Sequence, residues 1–263
     1  MSSPPSRFPR GRLIAHAGGA VNGKKYTNSV EAFERSAQIV SLIEHDICDA
    51  SDGLIVAHDG MEHAYGIKGS FSDCTTENFS HRKFTGTLCP MTVRDLMSKL
   101  QNVPVSVVLD IKTAQEKDYP AALREIMHYC LKYGVLDQTI VQIYSIDDFN
   151  NALELGFPNV ILALWKNFSN VWTQECRNCV DYCFDFDHTG FRALSIAARH
   201  FWRNGSYIGE KLEEYAFNKT GSIFLHGQPA EAEAVLLERG FGLFTHHPEA
   251  LVNYCPNTDE TSV

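Results

Sequence analysis

Three short apolar runs in the first half of this 263-residue chain carry or end in ionisable residues. The first ends in His16. The second carries Glu44-His45-Asp46, and a run just after it ends in His58-Asp59. The third ends in Asp110-Ile111-Lys112. Side chains of a strand alternate between its faces, so Glu44 and Asp46 share one face, as do Asp110 and Lys112 of their own strand. Burial penalises such groups unless something compensates them. Three converging carboxylates call for a cation, and all-oxygen donors favour Mg²⁺ or Ca²⁺ over zinc. The alternative is a structural salt-bridge cluster around Lys112. Two histidines beside the cluster could act as base and acid near neutral pH. His45 faces away from Glu44 and Asp46 and reads as a packing residue.

These residues need a scaffold that brings strand ends together. Strand-like runs are expected at 12–16, 42–48, 106–112, 139–144, 160–165, 182–186, 222–226 and 242–246, with 54–58 as a hairpin extension of the second. Helical periodicity falls between them, at 30–40, 92–100, 120–132, 146–155, 191–202 and 229–239. Asn28-Ser29 followed by Glu31 marks a helix start, and Gly134, Gly156 and Gly240 sit where helices stop. Eight strands alternating with helices predict a single-domain α/β fold, a (β/α)₈ TIM barrel over 12–255, rather than an open doubly wound sheet. In such barrels catalytic groups gather at the C-terminal ends of the strands. Residues 1–11 read as a polar lead-in and 256–263 as a flexible tail. The polar, glycine-bearing stretch at about 60–90 reads as a loop insertion and a candidate lid.

Composition narrows the function. There are 23 Lys and Arg against 32 Asp and Glu, a net charge of −9, which disfavours nucleic acid and anionic membrane surfaces as partners. No apolar run is long enough to span a bilayer, and the first residues lack the apolar stretch of a secretory signal, so a cytoplasmic protein is expected. The eight cysteines then read as reduced thiols. Cys176, Cys179 and Cys183 form a C-x₂-C-x₃-C cluster, but no second pair completes a zinc site.

Several segments together resemble the glycerophosphodiester phosphodiesterase family. They are Leu13-Ile14-Ala15-His16-Ala17-Gly18-Gly19, Asn28-Ser29-Val30-Glu31-Ala32-Phe33, Ile43-Glu44-His45-Asp46, Asp52-Gly53-Leu54-Ile55-Val56-Ala57-His58-Asp59, Leu109-Asp110-Ile111-Lys112 and Gly242-Leu243-Phe244-Thr245-His246-His247-Pro248. The resemblance implies a TIM barrel and one divalent cation, Mg²⁺ or Ca²⁺, on Glu44, Asp46 and Asp110. It also implies catalytic His16 and His58, and hydrolysis of a small-molecule phosphodiester. Lys112 would neutralise phosphoryl charge. Asn28, His226, His246 and Trp165 are candidate substrate or phosphate contacts. The chain departs from the family in having Ala17 for a phosphate-binding Arg, Thr27 for Glu and Asp110 for Glu. The first and last of these are similar to spider-venom-type sphingomyelinase D. An enzyme of phospholipase D type on a lysolipid or sphingolipid is therefore the second expectation, and an inactive phosphodiester-binding barrel the third. The sequence leaves the oligomeric state open.

Overall fold

The computed structural model describes residues 13–112, 119–164, 173–185 and 190–254. Its core is a ring of eight parallel strands. These are β1 (Leu13–Ala15), β2 (Leu42–Ala50), β5 (Ser106–Ile111), β6 (Thr139–Ile143), β7 (Val160–Ala163), β8 (Arg192–Ala197), β11 (Ile223–His226) and β12 (Gly242–Thr245). Each pairs with the next in that order, and β1 closes the ring against both β12 and β2. The expected (β/α)₈ barrel is therefore the observed fold.

Two short hairpin elements, β3 (Gly53–Val56) and β4 (Met91–Thr92), extend β2 antiparallel, and a small ribbon of β9 (Trp202–Arg203) and β10 (Ser206–Tyr207) follows β8. The helices are α1 (Val30–Ser36), α2 (Thr76–Ser80), α3 (Val93–Leu100), α4 (Tyr119–Tyr133), α5 (Ile146–Glu154), α6 (Gln174–Asp185), α7 (Glu210–Thr220), α8 (Ala230–Glu238) and α9 (Pro248–Leu251).

Strand periodicity divides the core into two layers. Ile14, Leu42, Val108, Ile140, Ile161, Ala193, Phe224 and Phe244, one from each barrel strand, form a cluster that fills the barrel interior. Their neighbours of opposite phase, among them Leu13, Ile43, Val107, Val141, Leu194 and Leu243, pack outward against the helices. Local caps agree with this arrangement. Ser29 Oγ accepts from Ala32 N at 3.2 Å to start α1, and Thr92 and Asp95 form a reciprocal capping box at α3.

Two sequence expectations are corrected. Residues 182–185 belong to α6 and are not part of a strand. Cys176, Cys179, Val180 and Cys183 recur at helical spacing and bury one face of it, with the aromatic side chains of that segment masking the pattern. The sixth barrel strand is instead β8, inside the stretch 191–202 expected to be helical. Its pairing with β7 and β11 overrides the helix-favouring Ala-Leu composition.

The insertion is also no open loop. Tyr65, Phe71, Phe79, Phe84 and Leu88 are buried together in a second small core, Tyr65 lying 4.9 Å from Phe79 and 5.1 Å from Phe84 between ring centres. The phenylalanines of this otherwise polar stretch are thus the packing of a folded extension beside the barrel. The expected lead-in at 1–11 and tail at 256–263 lie outside the described residues.

Candidate active site

Interior phase explains how the site assembles. Two residues beyond each interior core residue the chain points inward again, now at the barrel mouth. By this count His16 follows Ile14, Glu44 and Asp46 follow Leu42, Asp110 and Lys112 follow Val108, His226 follows Phe224 and His246 follows Phe244. The same phase adds Gln142 and Tyr144 after Ile140.

Glu44, Asp46 and Asp110 are buried, and an oxygen of each lies within 4.8 Å of the others. Each is held from behind. Glu44 Oε2 accepts from the Ala17 backbone N–H at 2.6 Å. Asp46 Oδ2 accepts from Asn28 Nδ2 at 2.9 Å. Asp110 accepts from Lys112 Nζ at 2.5 Å and from the Tyr144 hydroxyl, which accepts in turn from Gln142 Nε2 at 2.8 Å. Tyr144 and Gln142 had no place in the sequence expectation, although their inward phase on β6 could have found them.

Asn28 is fully buried. Its Oδ1 accepts from Asp46 N at 3.2 Å and from His45 Nδ1 at 3.0 Å, so its amide is committed to the cluster. It orients Asp46 from behind the cluster. His45 is buried against it, and burial holds its pKa down to about 3, as suits a packing histidine. Gly18 permits this close assembly: a Cβ there would stand 2.9 Å from Ala32 Cβ and 3.0 Å from His45 Cε1.

The electrostatics show a surplus of negative charge. Burial and then the charges of Asp46 and Asp110 push the Glu44 carboxyl well above its ordinary range. Burial opposes the Lys112 charge, but Asp110 and Asp46 outweigh it and raise the pKa. Asp46 Oδ1 is buried and accepts no hydrogen bond, with Lys112 Nζ 3.4 Å away. Three convergent carboxylates, one with an oxygen left over, fit a hard divalent cation better than they fit Lys112 alone. Among the described residues this is the group of side chains spaced to hold a metal.

The histidines border the cluster. His16 Nε2 lies 3.9 Å from Glu44 Oε2, and burial lowers its pKa although Asp46 and Asp110 act the other way. His58 Nδ1 donates to the Asp59 carbonyl at 2.7 Å, with Asp59 Oδ1 at 3.2 Å, which leaves Nε2 as the basic nitrogen of the neutral ring. Tyr26, absent from the sequence expectation, touches both: its ring centre is 5.4 Å from that of His16 and 4.9 Å from that of His58. It sits in a loop with a left-handed backbone, where no periodicity could have signalled it.

His246 stacks on His16 at 4.6 Å and donates from Nδ1 to the His16 carbonyl at 3.2 Å. His226 is one strand further round. Burial lowers the pKa of both, to about 3 and about 4 respectively, so both are neutral hydrogen-bonding groups at pH 7. Ala17, where the family resemblance expects Arg, is fully buried with φ 50°. Trp165 lies outside the described residues. Structure therefore gathers His16, His58, Glu44, Asp46, Asp110, Lys112, His226 and His246 at one mouth.

No family model and no curated protein matches the chain. Solved structures do. A glycerophosphodiester phosphodiesterase of Parabacteroides distasonis aligns with TM-score 0.68 at 15% identity, over 92% of this chain and 96% of that one. One from Agrobacterium tumefaciens gives 0.65 at 14%, over 92% and 99%. An Oleispira antarctica phosphodiesterase in complex with the product sn-glycerol-3-phosphate gives 0.72 at 13%, over 92% and 96%. At such identities the likeness concerns the backbone. The chain has the barrel fold of the glycerophosphodiester phosphodiesterases.

Proposed function

We propose that the protein is a metal-dependent phosphoric diester hydrolase, cleaving a glycerophosphodiester to glycerol phosphate and an alcohol. The observation that carries this reading is the buried Glu44–Asp46–Asp110 cluster, bordered by His16, at the mouth of a barrel shared with such enzymes. A bound Mg²⁺ or Ca²⁺ would supply positive charge to the phosphoryl oxygens and ease deprotonation of a hydroxyl beside it.

The chain's own residues supply the rest. Lys112 adds a fixed positive charge beside the cluster. His16, kept neutral by burial, takes the proton of the attacking hydroxyl, and His58, steadied by Asp59, delivers one to the leaving alcohol. We favour attack by the neighbouring glycerol 2-hydroxyl, giving a cyclic phosphate that water then opens with the roles reversed, because a tethered nucleophile gains effective molarity.

The lysolipid reading gains no support from the insertion, whose phenylalanines are spent on its own core. No helix of the described residues is long and apolar enough to cross a membrane. Seven free cysteines among those residues support a reducing, cytoplasmic setting. Incubation with a panel of glycerophosphodiesters and lysolipids, in chelator and with Mg²⁺ or Ca²⁺ restored, tests the reading by product mass spectrometry. Cation-dependent release of glycerol phosphate is expected. Cleavage of lysolipids alone, or none in the panel, would reject it.

A further inference from the structure

Proton transfer in the proposed reaction depends on where two imidazole rings point. A histidine base or acid is ordinarily oriented by a hydrogen bond to its second ring nitrogen. His58 has such a bond, from Nδ1 to the Asp59 carbonyl at 2.7 Å, but a single bond lets the ring pivot about it. His16 has none among the described residues. The polar atom facing its Nε2 is Glu44 Oε2 at 3.9 Å, beyond hydrogen-bond reach.

Packing holds these rings instead. His246 stacks on His16, with ring centres 4.6 Å apart and planes 22° from parallel, and its Nδ1 donates to the His16 carbonyl. Tyr26 meets all three. Its ring centre lies 5.4 Å from that of His16, 4.6 Å from that of His246 and 4.9 Å from that of His58, at interplanar angles of 80°, 73° and 71°. Edge-to-face contacts of this kind favour a particular ring orientation as well as a distance. The loop in turn holds Tyr26. Asn22 and Gly23, both left-handed, turn the chain so that Val21 and Lys24 bond each other in both directions. Ala20 N donates to the His246 carbonyl at 2.7 Å, and Lys24 Nζ donates to the hydroxyls of Thr85 and Thr87 in the insertion. Beyond Tyr26, the Tyr65 hydroxyl donates to the Thr27 carbonyl at 3.0 Å, and Asn28 N to the Ala17 carbonyl at 3.1 Å. Tyr26 therefore stands half-buried, at φ 56°, between two anchored points.

We propose that Tyr26 is a positioning residue whose ring sets the orientation of His16 and His58 for proton transfer. This rests on the phosphodiesterase reading, in which those two imidazoles serve as base and acid. The ring does this and not the hydroxyl. Nδ1 of His58 and Nδ1 of His246 both donate to backbone carbonyls, and among the described residues no hydrogen bond joins the Tyr26 hydroxyl to any of the three imidazoles.

Substitutions at Tyr26, assayed with the best-cleaved diester of the panel, separate this from a merely structural role. Tyr26→Ala should lower kcat about 10–100-fold, the scale of a misplaced acid–base pair, while KM stays within about threefold. Tyr26→Phe, which keeps the ring, should restore kcat to within about threefold of wild type. In a His58→Ala background the Tyr26→Ala loss should shrink, because residues that act as a unit are not additive. A kcat loss under about tenfold in folded Tyr26→Ala, a loss confined to KM, a Tyr26→Phe as impaired as Tyr26→Ala, or a fully additive pair would overturn the proposal. If wild type cleaves no diester with either cation, the phosphodiesterase reading fails by itself, and NMR relaxation of the histidine ring carbons decides the positioning. Order parameters of the His16 and His58 rings should fall in Tyr26→Ala and hold in Tyr26→Phe; equal values in all three proteins would reject it. Should Tyr26→Ala not fold, Tyr26→Leu, apolar but without a flat ring, takes its place in both measurements with the same expectations.

Discussion

Replacing Asn28 separates the support of the acidic cluster from the cluster itself. Its Nδ2 donates to Asp46 Oδ2 at 2.9 Å, and its Oδ1 accepts from Asp46 N at 3.2 Å and His45 Nδ1 at 3.0 Å, all buried. The residue also adopts φ 45°, a left-handed backbone that costs Asn less than Ala. Asn28→Gly removes the side chain without backbone strain. The charge-assisted bond is worth about 1.5–3 kcal/mol, and each stranded buried donor costs about 1–3 kcal/mol unless water replaces its partner. These terms overlap, so a loss of roughly 3 kcal/mol is expected for Asn28→Gly. Asn28→Ala should lose about 1 kcal/mol more through strain. Because Asp46 is then held less firmly, affinity for Mg²⁺ or Ca²⁺ should fall about 10–100-fold in both variants. Urea unfolding in excess chelator gives the stabilities, and isothermal titration gives the affinities. Should Asn28→Gly stay within about 1 kcal/mol of wild type and keep its metal affinity, the clamp has been misread.

Three further outcomes follow from the same geometry. Gly18→Ala meets Ala32 Cβ at 2.9 Å with φ +80°, and overpacking plus left-handed strain should destabilise by roughly 3 kcal/mol, read by urea unfolding. Glu44 carries a carboxyl pKa raised above 4.5 in the metal-free fold, so that fold binds more protons than the unfolded chain just above this value. Metal-free stability should therefore fall as pH rises from 4.5 towards the raised pKa and level off above it, while metal affinity climbs across that window with proton release. Titrations at several pH values that show no proton release would exclude this. A substrate analogue lacking the glycerol 2-hydroxyl should bind without appreciable cleavage; turnover matching the parent would leave direct attack by water as the route.

Much of the site was legible because strand phase is read directly from sequence. Glu44, Asp46, Asp110 and Lys112 alternate with Ile43, His45, Ile47, Leu109 and Ile111 of the opposite phase, so their convergence followed from period two and parallel closure. Tyr144 obeyed the same rule and was missed because a tyrosine at a strand end carries no charge to attract notice. Tyr26, and the backbone N–H of Ala17 that holds Glu44, lie on irregular chain, where contacts depend on tertiary placement. The swap of strand and helix between α6 and β8 has a related cause. Short apolar runs fit either period, and barrel pairing, which is non-local, decides between them. The insertion was misjudged because its phenylalanines, isolated in sequence, meet only in space.

In the proposed reaction, Glu44, Asp46 and Asp110 hold a divalent cation needed for cleavage of a phosphodiester between His16 and His58. Phosphorus NMR of one glycerophosphodiester tests it most directly, followed in a single metal-depleted sample before and after Mg²⁺ or Ca²⁺ is added, beside Glu44→Gln, His16→Ala and His58→Ala. The account predicts no turnover in chelator, a phosphomonoester signal growing once the cation is restored, at least about 10²-fold slower growth in either histidine variant, and a higher cation requirement in Glu44→Gln. Full turnover in chelator with no metal retained, or undiminished rates in both histidine variants, would contradict it.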